Sequence, residues 1–300
     1  RVELTLATHE RPEEAGPRIA AVADIARRLG ARPLAAAADD WLAQLRTDDR
    51  APLHVVALGA FGLVRDGIPV PSATWQSKKA RDLFRMLVTR RGRPLPRELA
   101  IERIWPDDAD GDPSKASSKL SVALATVRAV LDPDKRYDSD HFVQADSESI
   151  RLDTSAVTVD VEQFLAGARL ALEQHRRGPA ETAMVMLAAV ESAYTGDVFE
   201  DDPYSDWHVP LREEARSTYL TVARSLVDRR VDAGDHDDAV RLLLRILERE
   251  PYDEGAHLRL VSLLARAGRH GDARRRYQHY ASRMRELDLE PRSFPATEPD

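Results

Sequence analysis

The sequence predicts an α+β protein that is mostly α. A small β-sheet, three short helices and a β-hairpin come first, and an all-α region of repeats follows. Three observations predict it. Between Leu53 and Val70 the chain is rich in β-branched residues and broken by Gly59, Gly62 and an Asp66-Gly67 turn. From Trp75 to Leu131 the apolar spacing becomes helical. Near the C-terminus, Ala233–Ala239 (AGDHDDA) returns 34 residues later as Ala267–Ala273 (AGRHGDA), a period typical of two-helix repeats.

Composition narrows the function classes. The 300 residues are 43% apolar and 32% charged, a balance suited to well-packed helical domains. There is no cysteine, which excludes a disulfide framework, a thiolate metal site and a thiol nucleophile. No apolar run approaches a membrane span and no signal-peptide pattern opens the chain, so the expected compartment is the cytoplasm and no membrane partner is expected. The first residue is Arg1, which fits a piece of a longer or processed protein.

Charge is distributed unevenly. Residues 75–131 carry twelve Lys and Arg against seven Asp and Glu, while the whole chain has a net charge of −7. A basic island in an acidic chain points to a polyanionic partner, nucleic acid first.

The elements follow in order. Residues 1–50 read as a helical hairpin (17–45), the end of an upstream repeat array, and a linker. Residues 51–154 hold the sheet, the three helices and the hairpin. In the first helix Ala80, Leu83, Phe84, Leu87 and Val88 form one stripe, stopped by Gly92. Pro96 suits the start of the second, which ends at Trp105-Pro106. Asp112 and Ser114 are candidate caps for the third, whose buried face is Leu120, Ala123, Leu124, Val127 and Leu131. HFVQADSESIRLD then reads as a hairpin with Ser147–Ser149 at its tip. Sheet, three helices and hairpin in that order describe a winged helix-turn-helix with an N-terminal β-sheet.

Residues 155–290 read as helical from 159 onward, with tetratricopeptide-like repeats. The small residue after the shared glycine recurs (Ala239, Ala273), then a large apolar one (Leu243, Tyr277), and Pro251 closes the first repeat. Between the early helices and the repeats lies GDVFEDDPYSDWHVPLREEARSTYL, whose Phe199, Tyr204 and Trp207 are read mainly as core. In the same segment Glu200-Asp201-Asp202 fits a solvated loop better than a cation site. Residues 291–300 read as a flexible tail.

Several motifs resemble a known family. They are Trp75 with SKKARDLF, Arg97-Glu98-Leu99, Ile104-Trp105-Pro106-Asp107, and Leu120, Val122, Leu124, Val127 and Arg128 in their spacing. Val159-Asp160-Val161-x-x-Phe164 and Tyr204-x-x-Trp207 complete the set. Over roughly residues 53–290 the chain resembles antibiotic regulatory protein-like regulators, which join a response-regulator-type winged helix to a bacterial transcriptional activator domain. The resemblance implies the C-terminal end of a larger regulator that binds double-stranded promoter DNA and recruits RNA polymerase, with a homodimer as an option. It also implies arginines in many relatives where this chain has Ser121 and Thr126, and hence weaker or less selective DNA reading here.

In a winged helix the third helix enters the major groove, and neighbouring segments hold phosphates. The candidate DNA-binding residues are therefore Lys115, Ser117, Ser118, Lys119, Ser121 and Val122 at the start of that helix. Candidate phosphate clamps are Lys78, Lys79 and Arg97. Arg128 fits a phosphate contact and a structural ion pair equally, and Ser147, Ser149 and Arg151 are the wing candidates. The competing reading is a protein-interaction scaffold whose winged helix has lost sequence-specific DNA binding. Catalysis has no support: the histidines lack metal-ligand spacing, no nucleophile–base arrangement is visible, and there is no GxxxxGK[ST] loop. No cofactor is expected.

Overall fold

A computed structural model describes residues 52–106, 113–177 and 179–295. The expected N-terminal hairpin, the capping residue Asp112 and the end of the expected tail lie outside them. The chain divides into two compact units. Among the described residues, one holds those from 52 to 165 together with 194–215, and the other holds those of 166–193 and 216–295.

In the first unit, β1 (Leu53–Val56) pairs antiparallel with β2 (Gly62–Arg65), which pairs with β3 (Ile68–Pro69). Asp66 and Gly67 turn between β2 and β3 with φ of 49° and 77°, the conformation that the Asp-Gly pair favours. The other edge of β1 is covered by β7 (Val157–Val159), running parallel. Val159 thus belongs to a strand and not to the helical region expected from sequence, because a three-residue strand with no alternation gives no period to read. The residues of β7 are buried on both faces, as parallel strands are.

Three helices follow the first three strands. Helix α1 (Lys78–Thr89) starts where the Ser77 hydroxyl accepts from the Ala80 N–H, and its expected stripe is buried throughout. It ends through Arg91 and Gly92, both at positive φ. Helix α2 (Arg97–Ile104) follows a two-residue strand, β4 (Leu95–Pro96), and α3 is Pro113–Leu131. Ser114, the other expected cap, lies inside the first turn of α3. The expected face of α3 packs inward, with Leu120 and Val127 fully buried, against α1 and α2. Strands β5 (Val143–Ala145) and β6 (Ser149–Leu152) form the hairpin, and β4 pairs with β6 to make a three-stranded sheet. Two residues are too few to read as a strand in sequence. The pairing is decided by the hairpin reaching back to set Ile150 against Leu95 and Ser149 against Pro96, and this brings the start of α2 beside the hairpin tip.

Residues 194–215 complete this unit. Val198 bridges Leu58, the Gly59 N–H donates to Asp197, and the N–H groups of Phe199 and Glu200 donate to Ala57 and Gly59. Gly59 (φ 88°) and Gly196 meet so closely that a Cβ on Gly196 would lie 2.8 Å from the Gly59 Cα. Phe199 is fully buried and meets Phe61 edge-on, while Tyr204 is 96% exposed and Trp207 half-buried. The three aromatics read mainly as core therefore have three different fates.

The second unit is helical. It is built from most of α4 (Asp160–Arg177), α5 (Ala180–Ala193), the main part of α6 (Val209–Asp232), α7 (His236–Arg249), α8 (Glu254–Arg266) and α9 (His270–Glu286). The repeated heptapeptides are its turns. Gly234 and Gly268 both have φ near 75°, His236 and His270 open α7 and α9, and Ala239 and Ala273 are both fully buried. A small residue is required there because a neighbouring helix crosses against it. Leu243 is buried as expected, but Tyr277 is half-buried and its hydroxyl donates to the Arg292 carbonyl at 2.9 Å. The Arg292 N–H in turn donates to Tyr280, so the beginning of the segment read as a tail is tied to α9.

Candidate nucleic-acid interface

Helix α3 separates its two faces cleanly. Ala116, Leu120, Ala123, Leu124 and Val127 point to the core, while Lys115, Ser117, Ser118, Lys119, Ser121 and Val122 are exposed. Val122 is 67% exposed, so its methyl groups lie on the same open face as the two lysines. The hydroxyls are partly committed. Ser118 donates to the Ser114 carbonyl, Ser121 to Ser117 and Thr126 to Val122, each at 2.9–3.0 Å. Their lone pairs remain able to accept from a base edge.

Arg97 organises the surroundings of this face. Its backbone N–H donates to the Glu148 carbonyl at 2.9 Å, and its guanidinium reaches the Asp146 carbonyl (3.4 Å) and the Ser121 hydroxyl (3.3 Å). One side chain thus joins the start of α2, the hairpin tip and the exposed side of α3. It is half-buried.

The remaining expected contacts are redistributed. Lys78 is exposed at the start of α1, but the Lys79 ammonium donates to the Ile104 carbonyl at the end of α2. Lys79 is a C-terminal cap, where a cation also meets the negative end of the helix dipole. Arg128, for which sequence leaves two roles open, forms an ion pair with Asp140 and donates to the Val143 carbonyl at 2.9 Å. At the hairpin tip Ser147 is exposed, the Ser149 hydroxyl faces the Asp146 carboxylate, and Arg151 donates to Gln144. The backbone N–H groups of Glu148 and Ser149 hold the Asp146 carboxyl below the usual carboxylate range. The hairpin tip therefore presents two carboxylates, Asp146 and Glu148, beside the serines expected to reach the DNA.

Part of the basic island is neutralised from within its own unit. Arg85 is 1% exposed, lies over the rings of Phe61 (4.7 Å) and Phe199 (5.4 Å), and pairs with Asp201. Burial alone would raise the Asp201 carboxyl, but the Phe61 N–H and Arg85 together hold it below its ordinary value. Arg91 spans Glu162 (2.7 Å) and Glu214 (2.9 Å), and Arg103 meets Asp206 at 2.7 Å. Arg90 and Arg93 donate to the backbone carbonyls of Pro94 and Arg90. Sequence could not show this, because the pairing acids lie far along the chain in residues 160–215. The acids of Glu200-Asp201-Asp202 are neither a cation site nor a merely solvated loop: Asp201 and Asp202 serve Arg85, and Asp201 also accepts from the Phe61 N–H.

No group of side chains able to hold a metal ion occurs among the described residues, and no described helix is long and apolar enough to cross a membrane.

Fold and surface define a mostly helical α+β protein, with one α/β unit bearing an exposed cation- and hydroxyl-bearing helix face and one all-helical unit. Residues 159–294 match the family of the bacterial transcriptional activator domain. The fold is similar to that of Mycobacterium tuberculosis EmbR, solved in complex with a low-affinity phosphopeptide: the TM-score is 0.66 at 21% identity, over 81% of this chain. The chain spans 62% of that structure's length. No curated protein matches. The matched domain begins at β7 and includes residues 194–215, which pack in the first unit.

Proposed function

We propose that this chain is a transcription regulator of the activator type, the C-terminal part of a larger protein. In this reading residues 51–154 are a winged helix-turn-helix that binds double-stranded promoter DNA, and tetratricopeptide-like repeats contact RNA polymerase or a regulatory partner. The observation that carries it is the exposed row Lys115, Ser118, Lys119 and Val122 on α3, at the i, i+3, i+4 and i+7 spacing of a single helix face. Two ammoniums, a hydroxyl and a methyl-bearing side chain suit phosphate, base-edge and thymine-methyl contacts. The match to the activator domain supports the function class.

A second reading, a protein-interaction scaffold, is favoured by one set of observations. Arg85, Arg91, Arg103 and Arg128 are engaged internally, and the hairpin tip is acidic. Titration of a labelled duplex pool at low salt separates the two. A regulator binds saturably and weakens steeply with salt, whereas a scaffold shows no saturable binding.

A further inference from the structure

The helical unit contains a groove of about 370 Å³ whose floor and rim differ in character. The floor is aliphatic: Val240 and Leu244 lie one turn apart on α7, and Leu260 and Leu264 one turn apart on α8. Val240 and Leu244 are half-exposed and form the apolar surface that meets water, while Leu260 and Leu264 lie buried beneath them and back the floor. The rim is one face of α9 and the turn before it. Asp272, Arg275, Arg276 and His279 follow the i, i+3, i+4, i+7 spacing, and Arg269 stands at the entry. Asp272 is the single acid of the lining, and it already accepts from Arg269 (3.0 Å) and Arg275. Three guanidiniums against one carboxylate leave the rim positive, in a chain whose net charge is −7.

We propose that this groove is a docking site for an acidic amphipathic segment of a partner protein. Aliphatic side chains one helical turn apart enter the floor, and flanking carboxylates meet Arg275, Arg276 and Arg269. Charge complementarity selects the occupant. A neutral apolar segment would leave the cations desolvated and unpaired, and a basic one would be repelled. A nucleic-acid backbone would use the rim but leave the aliphatic floor uncovered. The floor and rim together match the helix-in-groove mode, in which spaced apolar anchors supply affinity and charge sets selectivity. The inference deepens the partner-binding half of the proposed function and rests on it, but is independent of the DNA-binding half.

The test is selection of a random dodecapeptide display library on the full 300-residue chain, in parallel with Arg276→Glu and Leu244→Asp variants whose folding is checked by circular dichroism. Arg276 is exposed, so its replacement leaves the helix packing intact. Enriched peptides should combine Asp or Glu with aliphatic residues at three- or four-residue spacing. They should lose affinity about tenfold or more on Arg276→Glu, equivalent to about 1.4 kcal/mol. No enrichment, enrichment of basic or neutral peptides, or peptides that ignore both substitutions would overturn the proposal. Loss of duplex DNA binding by Arg276→Glu would also overturn it, by marking the groove as a phosphate surface. Failure of the unaltered chain to bind DNA while peptide selection succeeds would sink only the DNA-binding reading.

Discussion

Arg85, the fourth cation of the basic island, is buried between two phenylalanine rings and paired with Asp201, 116 positions away in sequence. A side chain whose charge points to nucleic acid in the sequence is thus withdrawn from any ligand and holds residues 194–215 in the first unit. Desolvating a guanidinium is costly, and the cost is offset only while Asp201, Asp202 and Asp82 surround it.

Arg85→Met should therefore destabilise the first unit by about 3–5 kcal/mol, since it strands several carboxylates around an apolar site. Asp201 is 34% exposed, so Asp201→Ala should cost less, about 1–2 kcal/mol. Urea unfolding followed by circular dichroism checks both. Equal stability of all three proteins would mean that the pair does not hold this unit together.

Gly196 tests the same junction sterically. Its substitution by alanine places a methyl against the Gly59 Cα and the Glu200 carboxylate, both at 2.8 Å, and should cost about 1–3 kcal/mol. Hydrogen exchange should show reduced protection at the Gly59, Phe199 and Glu200 amides, which bond across this junction. Unchanged protection in the alanine variant would contradict the close approach.

Asp160 supplies a pH dependence. Its buried carboxyl, at the start of α4, accepts from the N–H groups of Ala57 (2.7 Å), Leu58 (3.1 Å) and Val161 (2.7 Å), and burial pushes it up to about 6 against an ordinary 3.8. Between those values the folded protein holds more protons than the unfolded chain. The residue's contribution to stability therefore falls as pH rises from about 4 to about 6, then stays constant. Relative to Asp160→Asn, which does not titrate, the unaltered protein should gain about 2 kcal/mol between pH 7 and pH 4.5. A pH-independent difference between the two would refute the raised value.

Cations at the two ends of α3 should behave differently in DNA binding. The double variant Lys115→Ala/Lys119→Ala should lower the slope of log affinity against log salt by about 1.8, at about 0.9 for each phosphate that is no longer neutralised. Arg128→Ala should leave that slope unchanged and instead cost about 1–2 kcal/mol of stability, because its bonds to Asp140 and Val143 are removed. Electrophoretic or anisotropy titrations over a salt series measure the slopes. A lysine variant with the unaltered slope would remove α3 from the interface.

Arg97 should show a third pattern. Arg97→Lys keeps the charge but cannot span the Asp146 carbonyl and the Ser121 hydroxyl with one planar fork. DNA affinity should fall several-fold with little change in salt slope, because the hairpin tip is then held less firmly beside α3. An effect confined to the slope would instead make Arg97 a simple phosphate contact.

Features that depend on near neighbours along the chain were mostly legible in the sequence. The buried stripes of α1 and α3 and the Asp66-Gly67 turn follow from helical periodicity and local backbone preference. So do the paired glycines and alanines of the 34-residue repeat. The exposed row from Lys115 to Val122 was legible for the same reason, since a helix that buries Leu120 and Val127 must turn those residues outward.

Only the tertiary structure decided what the charges do and where short strands pair. Lys79, Arg85, Arg91 and Arg128 count alike in a formal charge, yet each is engaged by a group on another element: Ile104, Asp201, Glu162 with Glu214, and Asp140. Strands β4 and β7, of two and three residues, are too short for their sequences to announce them, although Val157, Thr158 and Val159 are all β-branched; each exists because a distant partner satisfies its backbone groups. Side-chain periodicity is a property of neighbouring positions, whereas ion pairing and strand pairing depend on chain segments brought together by the fold. A run of cations can therefore be read from sequence, but which of them still face a ligand is set only once the distant carboxylates have arrived.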